Sequence, residues 1–198
     1  MEIPKYNTAL IVGAGEGLSA SLARLFAREG IKVALAARKI EKLGALCTET
    51  KARAFACDAT EAEEVERLFG MVEREISTPD IVVYNASGRA RGAFTDLVPA
   101  EVANAVAVSA FGGFLVAQQA AQRMLPNKSG AILFTGAFAS VKGYAQSAPF
   151  AMGKFAGQVT GPLRPPETVT VEELKWDTGD AGERRKMHQW VKLGGYSL

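Results

Sequence analysis

The sequence predicts an α/β fold, a doubly wound parallel sheet with helices on both faces. Three observations carry that expectation. Short apolar runs rich in β-branched residues alternate with helix-period patterns along residues 1–160. The runs are apolar throughout rather than at every second position, as strands covered on both faces must be. The first run is joined to the first helix pattern by a glycine-rich loop, "VGAGEGLS". Right-handed crossovers between parallel strands then wind the chain to both sides of the first strand.

The elements follow in order. "TALIVGA" reads as the first strand, and "GLSASLARLFAREG" as a helix with Leu18, Leu22, Leu25 and Phe26 on one face and Gly30 as its stop. "IKVALAA" is the second strand, "KIEKLGALCTE" a helix and "ARAFACD" the third strand. "EAEEVERLFGMVERE" is a helix whose stripe is Val65, Leu68, Phe69 and Val72, with Asp58 or Thr60 as its cap. "DIVVYNA" is the fourth strand, followed by a polar loop and a long helix from about Glu101 through "FGGFLVAQQAAQRML". "GAILFTG" is the fifth strand and "SAPFAMGKFAGQVT" a further helical segment. Gly161-Pro162 ends it, because proline lacks the donor and clashes with the preceding turn.

Residues 161–198 differ in character. They hold three of the eight prolines, both tryptophans (Trp176, Trp190) and the only histidine, His188. They are expected to form a loosely packed or partly disordered tail, in which "VTVEELKW" could make one edge strand. His188 has no nucleophile at a recognisable spacing and reads as a tail residue.

The bulk properties exclude several function classes. A chain of 198 residues can bury one sizeable core, and 48% apolar with 22% charged residues suits a soluble globular protein. A net charge of +2 is too small to argue for nucleic acid or an anionic membrane surface. No stretch reads as approaching the roughly 20 apolar residues of a membrane span, and the N-terminus shows no signal-peptide pattern. Cys47 and Cys57 have no metal or redox spacing, so no metal site is expected and a reducing, cytoplasmic compartment is. The expected partner is a small-molecule substrate, with no nucleic acid and no membrane.

Glycines at 13, 15 and 17 let the backbone turn sharply and let a pyrophosphate approach helix-end N–H groups. The spacing departs from G-x-G-x-x-G, since Leu18 stands where the third glycine would be. A tight strand–helix turn without a ligand is the plainer alternative.

The spacing fits another pattern better. Val12 to Ser19 resembles the T-G-x-x-x-G-x-G loop of the short-chain dehydrogenase/reductase family, with Val12 for the threonine and Ser19 for the last glycine. "ACDAT" resembles the family's C-D-x-T segment, where Asp58, beside Ala59, would meet the adenine ring. "VYNASG" resembles its N-N-A-G motif, with Tyr84 for the first Asn, Asn85 and Ala86 matching, and Ser87 for Gly. The ordered resemblance covers about Asn7 to Val159. It implies a Rossmann-type dinucleotide-binding domain over residues 1–160, with Gly13, Gly15, Gly17, Leu18, Asn85, Ala86 and Ser87 around the cofactor.

The end of the second strand selects the cofactor. An acid there would accept a ribose hydroxyl and favour NAD; a base attracts a 2′-phosphate. Arg38 and Lys39 stand there with no acid before Glu41, and a guanidinium can hold a phosphate bidentately. NADP(H) is therefore expected over NAD(H), against the plainer reading of two solvated cations.

The resemblance also locates the catalytic positions. Carbonyl-reducing members of the family usually carry Asn, Ser, Tyr and Lys. "FAMGK" puts Phe150 at the Tyr position and Lys154 at the Lys position; "VSAFGG" puts Ser109 at the Asn position; "ILFTGAFAS" puts Gly136 at the Ser position. Phenylalanine has no proton to give the alkoxide, and losing an acid costs a factor of about 10²–10⁴. Lys154 through water, Tyr144 or Ser140 are the candidate substitutes, and an exposed loop phenol is the plainer reading of Tyr144. Lys154 itself is either a solvated helix lysine or a holder of the nicotinamide ribose.

After Val159 the family's usual next strand, substrate loop and last strand are not recognisable, so the C-terminal strands read as missing or altered. Small residues in "FGGFLVAQQAA" suit close helix packing, and a homodimer or homotetramer is the assembly they would serve. Three readings stay open: an NADP(H)-dependent oxidoreductase acting on a small carbonyl or alcohol with a degenerate catalytic set, a cofactor-binding module without redox chemistry, and a truncated product without function of its own.

Overall fold

The computed structural model describes residues 6–141, 143, 145–157 and 169–174. Its first strand, β1 (Thr8–Val12), is buried at every residue. Side chains alternate across a strand, so β1 divides between two cores: Leu10 and Val12 enter one, Ala9 and Ile11 the other. The next strand, β2 (Lys32–Ala37), divides the same way, Ala34 and Ala36 against Val33 and Leu35. Continuously apolar strands thus reflect two covered faces, as the sequence implies.

The remaining strands are β3 (Arg53–Ala56), β4 (Ile81–Tyr84), β5 (Gly130–Thr135) and β6 (Val169–Leu174). All pair in parallel, in the order β3-β2-β1-β4-β5-β6. The chain steps outward from β1 to β3 and then returns to β4 on the other side of β1. The β1/β4 junction is therefore the switch point, where a crevice opens beyond the carboxyl ends of the strands. Asp80 fixes that junction at its other end. Its carboxylate accepts from the Asn7 and Thr8 N–H groups at 2.8 and 3.0 Å.

Helices α1 (Leu18–Arg28) and α2 (Gly44–Thr50) cover one face, through Leu22, Phe26 and Leu46. Helices α3 (Ala62–Glu75) and α5 (Gly112–Met124) cover the other, through Val65, Leu68, Phe69, Val72, Val116 and Met124. Between α4 (Pro99–Val106) and α5 the backbone widens into a π-helical turn, Ala107–Phe111. Helix α6 (Ala148–Gly157) packs against α4 and that turn.

Three expectations need correction. Neither Asp58 nor Thr60 caps α3. The cap residue is Glu61, without a side-chain hydrogen bond, and Asp58 instead closes a turn upstream by accepting from Thr60. The apolar content of the long helix is greater than its sequence suggested. The helical run Pro99–Asn127 has 29 residues and a mean hydropathy of 1.6 over its best 18, long and apolar enough by length and composition to cross a membrane. Here one side of it is spent on the sheet, while Phe111 and Phe114 stack on each other at its exposed side. Finally, the sheet does not end at β5. Val169–Leu174 extends it in register, Gly130 opposite Val169 through Thr135 opposite Leu174. The edge strand expected within "VTVEELKW" is present; the rest of 161–198, with Trp176, His188 and Trp190, lies outside the described residues.

Candidate functional site

A cleft of about 700 Å³ lies at the carboxyl ends of β1 to β4. Its walls include Gly13 and Ala14 after β1, Arg38 and Lys39 after β2, Asp58 and Ala59 after β3, and Asn85, Ala86 and Ser87 after β4. Four strand ends far apart in sequence converge because the sheet is parallel, so each strand's exit loop falls on the same side.

The glycine loop shows two different uses of glycine. Gly13 has φ +85°, and a Cβ there would stand 2.3 Å from the Ala86 backbone nitrogen. It is glycine because the β1 and β4 exit loops touch. Gly15 and Gly17 meet nothing within 4 Å. Packing does not require glycine at either position, and the missing side chains leave bare backbone facing open space. Helix α1 begins there with no side-chain cap and no acid in its first turn, which leaves its positive end available to an anion. Leu18 contributes its backbone to that helix start, while its side chain packs on the core beside α1.

Ser19 and Asn85 form a relay that the sequence did not reveal. Asn85 Nδ2 donates to Ser19 Oγ at 2.7 Å, and Ser19 Oγ–H donates to the Gly13 carbonyl at 3.1 Å. Ser19 is 1% exposed. The serine at the motif's last-glycine position thus ties the loop to the end of β4. The signal was that departure itself, a polar residue where a helix turns its buried side to a sheet.

Asp58 Oδ1 accepts from the Thr60 N–H at 3.0 Å and the Thr60 hydroxyl at 2.8 Å. The Thr60 backbone donor is the chief reason its carboxyl titrates below the usual range; the Thr60 hydroxyl and the Arg38 charge add to it. Asp58 is therefore a fixed anion on the cleft wall, in electrostatic reach of Arg38. Beneath it, burial first, then the Glu64 and Asp58 charges, push the Cys57 thiol up to about 12. Cys57 is an inert apolar part of the cleft floor.

Tyr84, at the first-Asn position of its motif, is 3% exposed, and burial raises its phenol above the ordinary range. Its hydroxyl donates to the Val108 carbonyl in the π-helical turn. Gly112 gives it room, since a Cβ there would stand 2.5 Å from the hydroxyl. Tyr84 is thus a brace for the turn that carries Ser109.

The catalytic positions sit apart from that cleft, along β5 and α6. Ser109 is buried, accepts from the Gly88 N–H at 3.0 Å, and abuts Gly153, where a Cβ would stand 2.4 Å from the Ser109 Cβ. It is adjacent to the helix that carries Lys154, and its hydroxyl is engaged. Lys154 Nζ donates to the Thr135 carbonyl at 2.7 Å, next to Gly136. It also lies 5.8 Å from the centre of the Phe150 ring. Ser140 is 2% exposed, and its hydroxyl accepts from the Ala137 N–H at 3.2 Å, which makes it part of the turn after β5. Tyr144 lies outside the described residues. Arg89, which sequence reasoning passed over, has its guanidinium 4.9 Å from the Phe150 ring centre. No metal-holding group of His, Cys, Asp and Glu occurs among the described residues.

Comparisons with known proteins agree with this geometry. Residues 7–160 match the family model for short chain dehydrogenases. The chain is 31% identical over 150 residues to a mitochondrial borneol dehydrogenase of Lavandula x intermedia, covering 75% of this chain and 58% of the relative. It is 30% identical over 160 residues to a D-threitol dehydrogenase of Mycolicibacterium smegmatis, covering 75% and 59%. Among solved structures, a metagenomic short-chain oxidoreductase in complex with NADP superposes with a TM-score of 0.81 at 26% identity, covering 88% of this chain and 84% of that one. The chain spans about three-fifths of the length of the curated relatives it matches. With its glycine loop, its parallel sheet and its motifs in order, the chain belongs to the short-chain dehydrogenase family.

Proposed function

We propose that this chain is an oxidoreductase that moves a hydride between NADP(H) and a small carbonyl or alcohol, with a reduced catalytic set. The observation that carries the cofactor choice is the end of β2. Arg38 and Lys39 line the cleft there, and Asp58, the nearest fixed anion, is itself held on Thr60. A 2′-phosphate in that corner would meet a guanidinium suited to bidentate contact. The bare backbone at Gly15 and Gly17 and the uncapped start of α1 would take the pyrophosphate. The bound nicotinamide supplies the hydride chemistry; the chain's own residues bind and orient.

The weak point is the proton. Lys154 Nζ keeps a position beside the end of β5 through Thr135, so its cation can hold a ribose hydroxyl without a neighbouring phenol. Phe150 supplies no acid, and the Ser140 hydroxyl is engaged in its own turn. Proton delivery in this reading runs through Lys154 and solvent, and turnover is correspondingly slow, by about 10²–10⁴ against a site with its acid. Exposed Phe111 and Phe114 on the π turn and α5, with Met152 and Phe155 on α6, would close against a second copy as a homodimer.

The test is a titration of NADPH and NADH fluorescence on the purified chain and on Arg38→Asp. The expected result is tighter NADPH binding, reversed in the variant by on the order of tenfold or more, since hydrogen bonds to charged groups contribute about 1.5–3 kcal/mol. Equal affinities in the unmodified chain, or an unchanged preference in Arg38→Asp, refute the cofactor assignment.

A further inference from the structure

We propose that Arg89, beside Phe150 and Lys154, is a recognition site for a carboxylate on the substrate. Resting on the oxidoreductase reading above, this narrows the substrate class to small carbonyl compounds that carry a carboxylate, such as 2-oxo acids and their hydroxy counterparts.

The argument is one of charge. Two cations, the Arg89 guanidinium and the Lys154 ammonium, lie 4.9 and 5.8 Å from the centre of one neutral ring. The ring face attracts the Arg89 cation but cancels none of its charge. Arg89 meets no carboxylate among the described residues, although Arg24, Arg28, Arg53 and Arg123 each pair with a glutamate. Its side chain is exposed, so the guanidinium is available to a ligand.

Position makes this more than a surface contact. Arg89 lies two residues beyond Ser87, which lines the dinucleotide cleft. Lys154 is hydrogen-bonded to Thr135, and the next residue, Gly136, carries no side chain. Both cations therefore flank Phe150, the position at which the resemblance puts the proton donor. The Arg89 guanidinium lies over the Phe150 ring, and its planar fork suits bidentate contact with a carboxylate. A phenol at 150 would offer its own oxygen to this corner; a phenyl offers none.

The test is calorimetric titration of the full chain, with and without NADP⁺, using pyruvate and benzoylformate and their uncharged carboxamides. NADP⁺ cannot reduce these probes, so binding is read apart from turnover. The expected result is that at least one oxo acid binds ten times or more tightly than its carboxamide. That advantage should fall below twofold in both Arg89→Leu and Arg89→Gln, and survive in part in Arg89→Lys. Oxo acids that bind no better than their amides, or an advantage that persists in both neutral variants, overturn the proposal. The two readings fail separately. Arg89-dependent oxo-acid binding without NADP⁺ binding leaves the anion site standing and removes the cofactor reading. NADP⁺ binding without an oxo-acid preference does the reverse.

Discussion

The two halves of the candidate site are built to different standards. Around the glycine loop three polar side chains have fixed partners: Asn85 donates to Ser19, Ser19 donates to the Gly13 carbonyl, and Asp58 accepts twice from Thr60. Along β5 and α6 the frame is kept while the chemistry is thinned. Ser109 still abuts Gly153 and Lys154 still reaches the end of β5, yet no hydroxyl stands at 150 or 136. In the proposed reading, holding a dinucleotide and handing over a proton are separable loads on one scaffold. The first is carried by backbone close approach at a sheet switch point, the second by single side chains that can be lost without disturbing the fold.

The comparison can be broken most severely at Gly13. Gly13→Ala combines a left-handed φ with a Cβ at 2.3 Å from the Ala86 backbone, and should cost at least about 3 kcal/mol in urea unfolding. Gly15→Ala should leave stability within about 0.5 kcal/mol while weakening NADPH binding, because its Cβ enters open space where the proposed pyrophosphate would approach the loop. Equal stability losses in the two variants would contradict the division between a packing glycine and a ligand-facing one.

Ser19→Ala probes the relay between the exit loops of β1 and β4. It removes a buried acceptor from Asn85 and a donor to Gly13, and a loss of about 1–3 kcal/mol is expected by the same unfolding assay. A neutral result would mean the relay is incidental to the loop's position.

The smallest effect is on acid stability. Asp58 titrates lower in the fold than in the unfolded chain, so its contribution is complete above the unfolded value of about 3.9. It fades as pH falls through the lower folded value. Thr60→Val removes the hydroxyl donor and keeps the backbone donor, so it should lower stability slightly at neutral pH, where Asp58's contribution is complete, and leave less of it to lose on the acid side. An unchanged pH profile below about 4 would separate the Asp58 turn from stability.

Legibility in the sequence followed the same line between the two halves. The strands, their order and the motif positions could be read because periodicity and glycine spacing are properties of contiguous residues. Within the tail, "VTVEELKW" was legible as an edge strand because its alternation is local. What escaped was built from pairs distant in the chain. The Asn85–Ser19 hydrogen bond spans 66 positions, and the Arg89–Phe150 contact joins the loop after β4 to α6. The π turn at Ala107–Phe111 was also missed, because its cause lies elsewhere: the Tyr84 hydroxyl enters from β4 and takes the Val108 carbonyl. The cap of α3 was misplaced because the Asp58 carboxylate is taken by the Thr60 N–H and hydroxyl rather than by an N–H of the helix.

The central claim, an intact cofactor half beside a site that lacks its acid, is tested most directly by Phe150→Tyr. NADPH affinity and kcat on a panel of carbonyl compounds should be measured on both proteins. The account predicts NADPH affinity unchanged within about twofold and kcat raised by about 10²-fold or more. Undiminished cofactor binding with no gain in kcat would contradict it, placing the defect in the substrate pocket rather than in the proton donor.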